Sequence, residues 1–290
     1  MHPRKPEIVL GMIYLPFLGA LAEATGMTLE KIILRVKKVN YKNYTVYGFL
    51  AIVLVMLPFI YFFWNVSPQA YELKNILILA GVLAASITAN LLIFYAFKRE
   101  SLSEIEPIRL MQPLFVILLA VTLFPAERQL TIVGLALVAS IALVGSHIKK
   151  HHFVYDKYMV AALLGSFFFA LELVISRAIL DFYNPFTFYF IRCLFVFIIT
   201  LVIFRPKDHF KNKTKAIMLL AGGIWVINRL ILYWGFIELG IVFTTMLFII
   251  SPIFIYIFAK IFLKEKITWR HIISSIIIIA CVVAALMLGN

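Results

Sequence analysis

Charge is what this chain has least of. Of its 290 residues, 14% are charged and 63% are hydrophobic, against about 25% and about 45–50% in a soluble domain. Cysteine is nearly absent: Cys193 and Cys281 both sit in apolar runs, so no disulfide framework is expected and the redox compartment is not readable. Long polar segments are missing, which leaves little chain for a soluble domain. Short strands of alternating polarity are missing too, which argues against a membrane barrel. No glycine-rich phosphate loop, zinc motif or GxSxG turn is present, so an ATP-driven pump is disfavoured, no catalytic constellation supports an enzyme, and no metal or cofactor is expected. His151-His152 lacks further ligands at suitable spacing and reads as a solvated loop.

What is present is a series of apolar runs, each about the 20 residues needed to cross a bilayer. Ten are predicted, over 7–30, 45–64, 75–98, 105–125, 131–148, 158–180, 185–204, 215–236, 240–262 and 268–288. Residues 1–24 also carry marks of a signal peptide, with Arg4 and Lys5 before an apolar stretch and Ala22-Glu23-Ala24 after it. A retained helix is expected instead, because the apolar character runs on towards Ile33.

The chain repeats itself. Phe94-Tyr95-Ala96-Phe97 matches Tyr233-Trp234-Gly235-Phe236 at a separation of 139 residues, and Gln112-Pro113 falls on Ser251-Pro252 at the same separation. Glu127 falls on Glu265 one residue closer, and Gly19 and Lys31 echo Gly165 and Arg177. The expected fold is therefore all-α and membrane-integral: ten transmembrane helices as two five-helix repeats, 1–150 and 151–290. Five crossings invert the second copy relative to the first, and inverted-topology repeats are a signature of secondary transporters.

Net charge is +13, and it is sided. On alternate loops, 19 of the 27 lysines and arginines collect at one face, including Lys31 and Arg109, against five at the other. The positive-inside rule puts the basic face in the cytoplasm and both termini outside. Such loops meet anionic lipid rather than nucleic acid. Glu127-Arg128 and Glu265-Lys266 are read as stabilising the turns that hold them.

Ionisable residues inside a span are costly, about 2.5–3.5 kcal/mol on insertion scales, and so are functional candidates. They are Glu23, Glu172, Arg192, Arg229 and, near an end, Lys260, with Asn90, Gln112 and Asn228 as neutral companions. Trp225, Arg229, Tyr233 and Phe236 share one helical face, and repeat onto Ser86, Asn90, Phe94 and Phe97. This predicts a substrate site in which Arg229 holds an anionic group while Trp225 and Tyr233 pack the organic part, with Asn90 opposite. The alternative is an Arg229 neutralised by Glu172 or Glu23. Those two glutamates are candidates for proton coupling or for counter-ions, the latter favoured for Glu172 because Arg192 also needs a partner. Pro113 and Pro252 are candidate hinges, with Gln112 presented to the cavity.

Taken together these marks resemble the drug/metabolite transporter superfamily, specifically its EamA type. They are the five-plus-five spans, the prolines early in spans 4 and 9, Glu127 and Glu265 with their following cations, the glycine-to-cation pattern of spans 1 and 6, and Arg192 early in span 7. The resemblance implies a secondary carrier in the cell membrane for a small organic metabolite, an exporter or exchanger working by alternating access. It implies a cavity lined by spans 1, 3, 4, 6, 8 and 9, with Glu23, Asn90, Gln112, Glu172 and Arg229 near the substrate. Coupling to protons or a counter-substrate, and a monomer or homodimer, fit it. Family members usually keep their termini in the cytoplasm, opposite to the charge count. A lipid-linked flippase, or a non-transporting membrane partner of an envelope enzyme, is the competing expectation.

Overall fold

The computed structural model describes residues 14–36, 39–99, 109, 111–147, 157–207, 210–262 and 269–288. Among them the fold is helical, with one isolated bridge between Val66 and Tyr183 in place of a sheet. The helices are α1 (Tyr14–Leu34), α2 (Tyr41–Met56), α3 (Ile60–Phe63), α4 (Leu73–Arg99), α5 (Gln112–Leu123), α6 (Leu130–His147), α7 (Lys157–Leu180), α8 (Pro185–Phe204), α9 (Asn212–Glu238), α10 (Ile241–Phe248), α11 (Ser251–Phe262) and α12 (Trp269–Leu288). Among the described residues, five segments are long and apolar enough to cross a membrane: Leu73–Lys98, Lys157–Leu180, Pro185–Phe204, Asn212–Glu238 and Ile241–Phe262. Gln112–Leu123, Leu130–Ala142 and Ser275–Ala285 are shorter apolar helices.

Local chemistry fixes the helix ends. Asn184 accepts a hydrogen bond from the Phe186 amide at 2.8 Å, and Pro185, which has no amide hydrogen to lose, opens α8. Asn40 caps α2 in the same way. Buried hydroxyls turn back on their own helix: Thr28, Ser140, Ser166 and Thr200 each donate to the carbonyl four residues earlier, so none needs a partner from the surroundings.

Four helices, α1, α4, α7 and α9, form the centre, with α4 against α7 and α9 against α1. Glycines set both approaches. A Cβ on Gly165 of α7 would lie 2.9 Å from Ile93 of α4, and one on Gly19 of α1 would lie 3.1 Å from Ile231 of α9 and 2.3 Å from Phe248. Close backbone approach through small residues is how apolar helices gain packing where lipid offers no hydrophobic drive. The cations that follow these glycines also match. Lys31 donates to the Phe97 carbonyl at 2.9 Å, and Arg177 to the Phe236 carbonyl at 3.0 Å. Lys31 is thus a buried residue of α1, not the loop cation expected, because α1 continues to Leu34.

The loops sort into two faces. On one, Tyr47 reaches the Pro206 carbonyl and Lys42 lies over the Phe204 ring. On the other, Ser67 donates to the Phe182 carbonyl, Asn184 to the Asn65 carbonyl, and Thr187 to the Phe63 carbonyl. This second face carries a further tie. Glu127 accepts from the amides of Ile241 (2.7 Å) and Val242 (3.0 Å), capping α10, whose eight residues are all buried. Gly240 precedes them at φ +88°, where a Cβ would come within 2.9 Å of the carboxylate. The turn role expected for Glu127 is therefore corrected: it reaches out of its own turn, whereas Arg128 stays in it and donates to the Val121 carbonyl. Glu265 and Lys266 lie outside the described residues, as do His151 and His152. Glu127→Ala should cost about 1–3 kcal/mol, the usual penalty for stranding buried donors, with Glu127→Gln losing less. Thermal unfolding of the detergent-purified protein checks both.

Candidate functional site

Arg192 of α8 is buried at the centre of a polar network. Its Nε lies 3.2 Å from Glu172 Oε1, and its two terminal nitrogens donate to the Tyr233 hydroxyl (3.1 Å) and to Ser86 Oγ (2.8 Å). Tyr233 in turn donates to Glu172 Oε1 at 3.2 Å, and Ser176 reaches the same oxygen at 3.3 Å. Four helices meet there: α4, α7, α8 and α9. The counter-ion of Arg192 is Glu172. Tyr233, expected on the substrate face, is fully buried in this network and lines neither cavity described next.

Two chambers lie beside the network. The first includes Glu30, Tyr44, Asn90, Phe94 and Arg192. The second includes Glu23, Gln112, Pro113, Asn228, Ser251 and Pro252. Arg109, Phe169, Trp225 and Arg229 line both and form the wall between them.

Arg229 is buried, its guanidinium 4.8 Å from the Phe169 ring centroid and 5.8 Å from that of Trp225. Such stacking holds a cation by its faces and leaves the donor edge free. Gly26 of α1 makes room for the indole, since a Cβ there would lie 2.9 Å from it. Asn90 faces the same chamber as Arg229, with its amide donating to the Ser86 carbonyl of its own helix at 2.8 Å. Asn228 ties α9 to α1 through the Gly19 carbonyl at 3.0 Å.

The two prolines sit where helices restart. Pro113 is in the first turn of α5, and Pro252 follows Ser251 at the start of α11, just after α10 has ended at Phe248. The expectation of a kink within a continuous span is corrected for the second: Ile241–Phe262 is two helices. Gln112 and Pro113 line the second chamber, as do Ile249, Ser251 and Pro252 at the break between α10 and α11. Unwound backbone at mid-membrane is tolerated where it lines a cavity.

Sequence reasoning missed Arg109, Glu30, Tyr44 and Phe169. Arg109 was counted as a loop cation, yet it lines both chambers and its Nε is buried without a hydrogen-bond partner. Helical spacing was the available signal: Glu30 is seven residues after Glu23, Phe169 three before Glu172, and Arg109 three before Gln112. No cluster that could hold a metal ion occurs among the described residues.

The family model of the EamA-like transporters matches the chain twice, over residues 9–146 and 156–287. The chain belongs to the EamA-like transporter family. This confirms the resemblance read from the repeat and its motifs, and it makes the protein an integral, multi-pass membrane protein that transports small molecules. The family is one of transporters rather than enzymes. No curated protein matches the chain. A solved structure described only as a crystal structure of protein has the same fold, with a TM-score of 0.72 and 14% identity over 96% of this chain and 98% of that one.

Proposed function

We propose that this EamA-like transporter is a secondary carrier of a small organic metabolite, an exporter or exchanger working by alternating access around the two chambers. The observation that carries this reading is the position of Arg229: a buried, stacked guanidinium facing both chambers. Ten transmembrane helices in two inverted halves, 1–150 and 151–290, fit the matched contacts Gly19–Ile231 with Gly165–Ile93 and Lys31–Phe97 with Arg177–Phe236. The chambers lie towards the basic loops, and the opposite face is laced shut through Glu127 and the loop at Val66 and Tyr183. With the basic face in the cytoplasm, this is the inward-facing member of the cycle. Pro113 and Pro252 are its hinges, and Asn90, Trp225, Gln112 and Asn228 surround the substrate. Arg229 is absent from the lining of the apolar groove outside the bundle, where Phe63, Phe186 and Trp234 face one another without an ionisable neighbour. That favours a carrier over a lipid flippase.

The test is counterflow in proteoliposomes, with amino acids, amines, sugar phosphates and nucleotide sugars, alongside thermal shifts in detergent. A true ligand at 100 times its dissociation constant should stabilise by about 2.7 kcal/mol. Saturable exchange within one class is expected, and exchange of none would overturn the reading. Glu23, facing Arg109, Arg229 and Ser251, is the proposed coupling carboxylate. Glu23→Gln should leave transport insensitive to an imposed pH gradient, and retained sensitivity removes Glu23 from that role.

A further inference from the structure

Several cations at the helix ends are spent on the protein itself. Lys31, Lys98, Arg128 and Arg177 each donate to a backbone carbonyl. The segment from Arg205 to Lys215, between α8 and α9, differs. It carries five cations and one acid, Asp208. Arg205, Lys207, Lys211 and Lys213 are exposed, and their side chains make no hydrogen bond or ion pair among the described residues. The start of this segment is nonetheless held in place. Tyr47 of α2 donates to the Pro206 carbonyl at 3.4 Å, Phe210 packs edge-on to Tyr47 at 5.1 Å, and the Lys42 ammonium lies 5.4 Å from the Phe204 ring centre. Arg205 stands in the left-handed region at φ 43°, the one non-glycine residue there among the described residues. Such a position just past a helix end usually belongs to glycine, which has no Cβ to strain. Here an arginine occupies it.

We infer that Arg205 and Lys42 form the headgroup site of an anionic phospholipid whose acyl chain lies along α8. The helix supplies a matching apolar rail. Phe195, Ile198 and Val202 are exposed, and their spacing sets them on one face of α8, with Arg205 following at its end. From Phe195 to Arg205 the rise is about 15 Å, half of the roughly 30 Å hydrocarbon core and so the depth of one leaflet. The chain is a membrane-integral EamA-like transporter, so an exposed apolar face of this kind meets lipid. Charge then selects among lipids. A guanidinium takes a phosphodiester through two parallel hydrogen bonds, and Lys42, resting against Phe204, adds an ammonium beside it. Phosphatidylcholine brings a quaternary ammonium of its own, which leaves the surplus of cations unmatched. Phosphatidylglycerol carries a net negative charge that meets it. Lys207 and Lys211 extend the same field past the phosphate. An arginine that only complemented the dipole at the end of α8 would have no preference between lipids, and that separates the two roles.

The test titrates the full chain, purified in detergent and stripped of lipid, with phosphatidylglycerol or phosphatidylcholine of identical acyl chains. Native mass spectrometry and thermal shift read the binding. Phosphatidylglycerol should bind at least about tenfold more tightly. Arg205→Gly should remove most of that preference while the unfolding temperature without lipid holds or rises, because glycine relieves the left-handed backbone. Lys42→Gln should remove part of it. Lys260→Gln takes one exposed cation from the end of α11, a helix packed on α1, and should leave the preference intact. The inference is overturned if the two lipids bind alike, or if Arg205→Gly keeps the preference. It is overturned too if Lys260→Gln lowers the preference as much as Arg205→Gly, since the basic face then attracts lipid by bulk charge alone. Inositol hexakisphosphate, which has no acyl chain, should fall short of phosphatidylglycerol. If it reproduces the thermal shift at equal concentration, the loop binds soluble polyanions and the lipid site is excluded. None of these outcomes bears on the carrier reading, which the exchange assay decides.

Discussion

Arg192→Ala is expected to cost the fold about 3–5 kcal/mol, the penalty for stranding one member of a buried ion pair. Glu172 is fully buried and would keep only the hydroxyls of Tyr233 and Ser176. Ser86 and Tyr233 would lose the guanidinium at the same time, so four helices lose their common point. Mutating both partners tests the cause. Glu172→Gln with Arg192→Met removes both charges and should recover much of the loss, since a buried pair is worth little against apolar residues of similar volume. Thermal unfolding in detergent and the yield of monodisperse protein measure both variants. A single mutant as stable as wild type would show that the pair is not a structural tie.

The sequence carried the membrane-spanning character and the repeat because both are one-dimensional signals. Apolar runs of bilayer length and a fixed offset of 139 need no knowledge of how helices rotate. Arg229 and Asn90 were readable for the same reason: they are equivalent positions on equivalent helices, and both line the first chamber. Rotation and reach were not readable. Tyr233 lies on the helix that carries Arg229, yet it turns towards Arg192, and only the packing of α8 beside α9 decides that. Glu127 looked like a turn residue, but its carboxylate serves the amides of a helix more than a hundred residues later. Arg109 looked like a loop cation because it stands early in the expected fourth span, yet it lines both chambers. Glu30 fell at the expected end of the first span, and α1 in fact runs one turn further.

Arg229→Ala is expected to leave the fold nearly intact and to reduce binding and transport by at least about 30-fold. Removing one side of a buried charged contact costs about 2–5 kcal/mol, and each 1.4 kcal/mol is about tenfold. The contrast with Arg192 is the core of the argument. Both arginines are buried, but Arg192 is spent on three protein groups, Glu172, Tyr233 and Ser86, whereas among the described residues Arg229 is held by the faces of Phe169 and Trp225. Removing Arg229 strands no partner in contact among the described residues, and Arg109 remains beside Glu23 and Glu30. Arg229→Lys keeps the charge but loses the stacked fork, so it should fall between wild type and alanine. The decisive comparison is the thermal shift on adding ligand, set beside the unfolding temperature without it. If Arg229→Ala lowers the ligand-free temperature as much as Arg192→Ala does, Arg229 is a structural cation and the site must be sought elsewhere. If the ligand-free temperature holds while the ligand shift vanishes, the open edge of Arg229 is where the substrate anion binds.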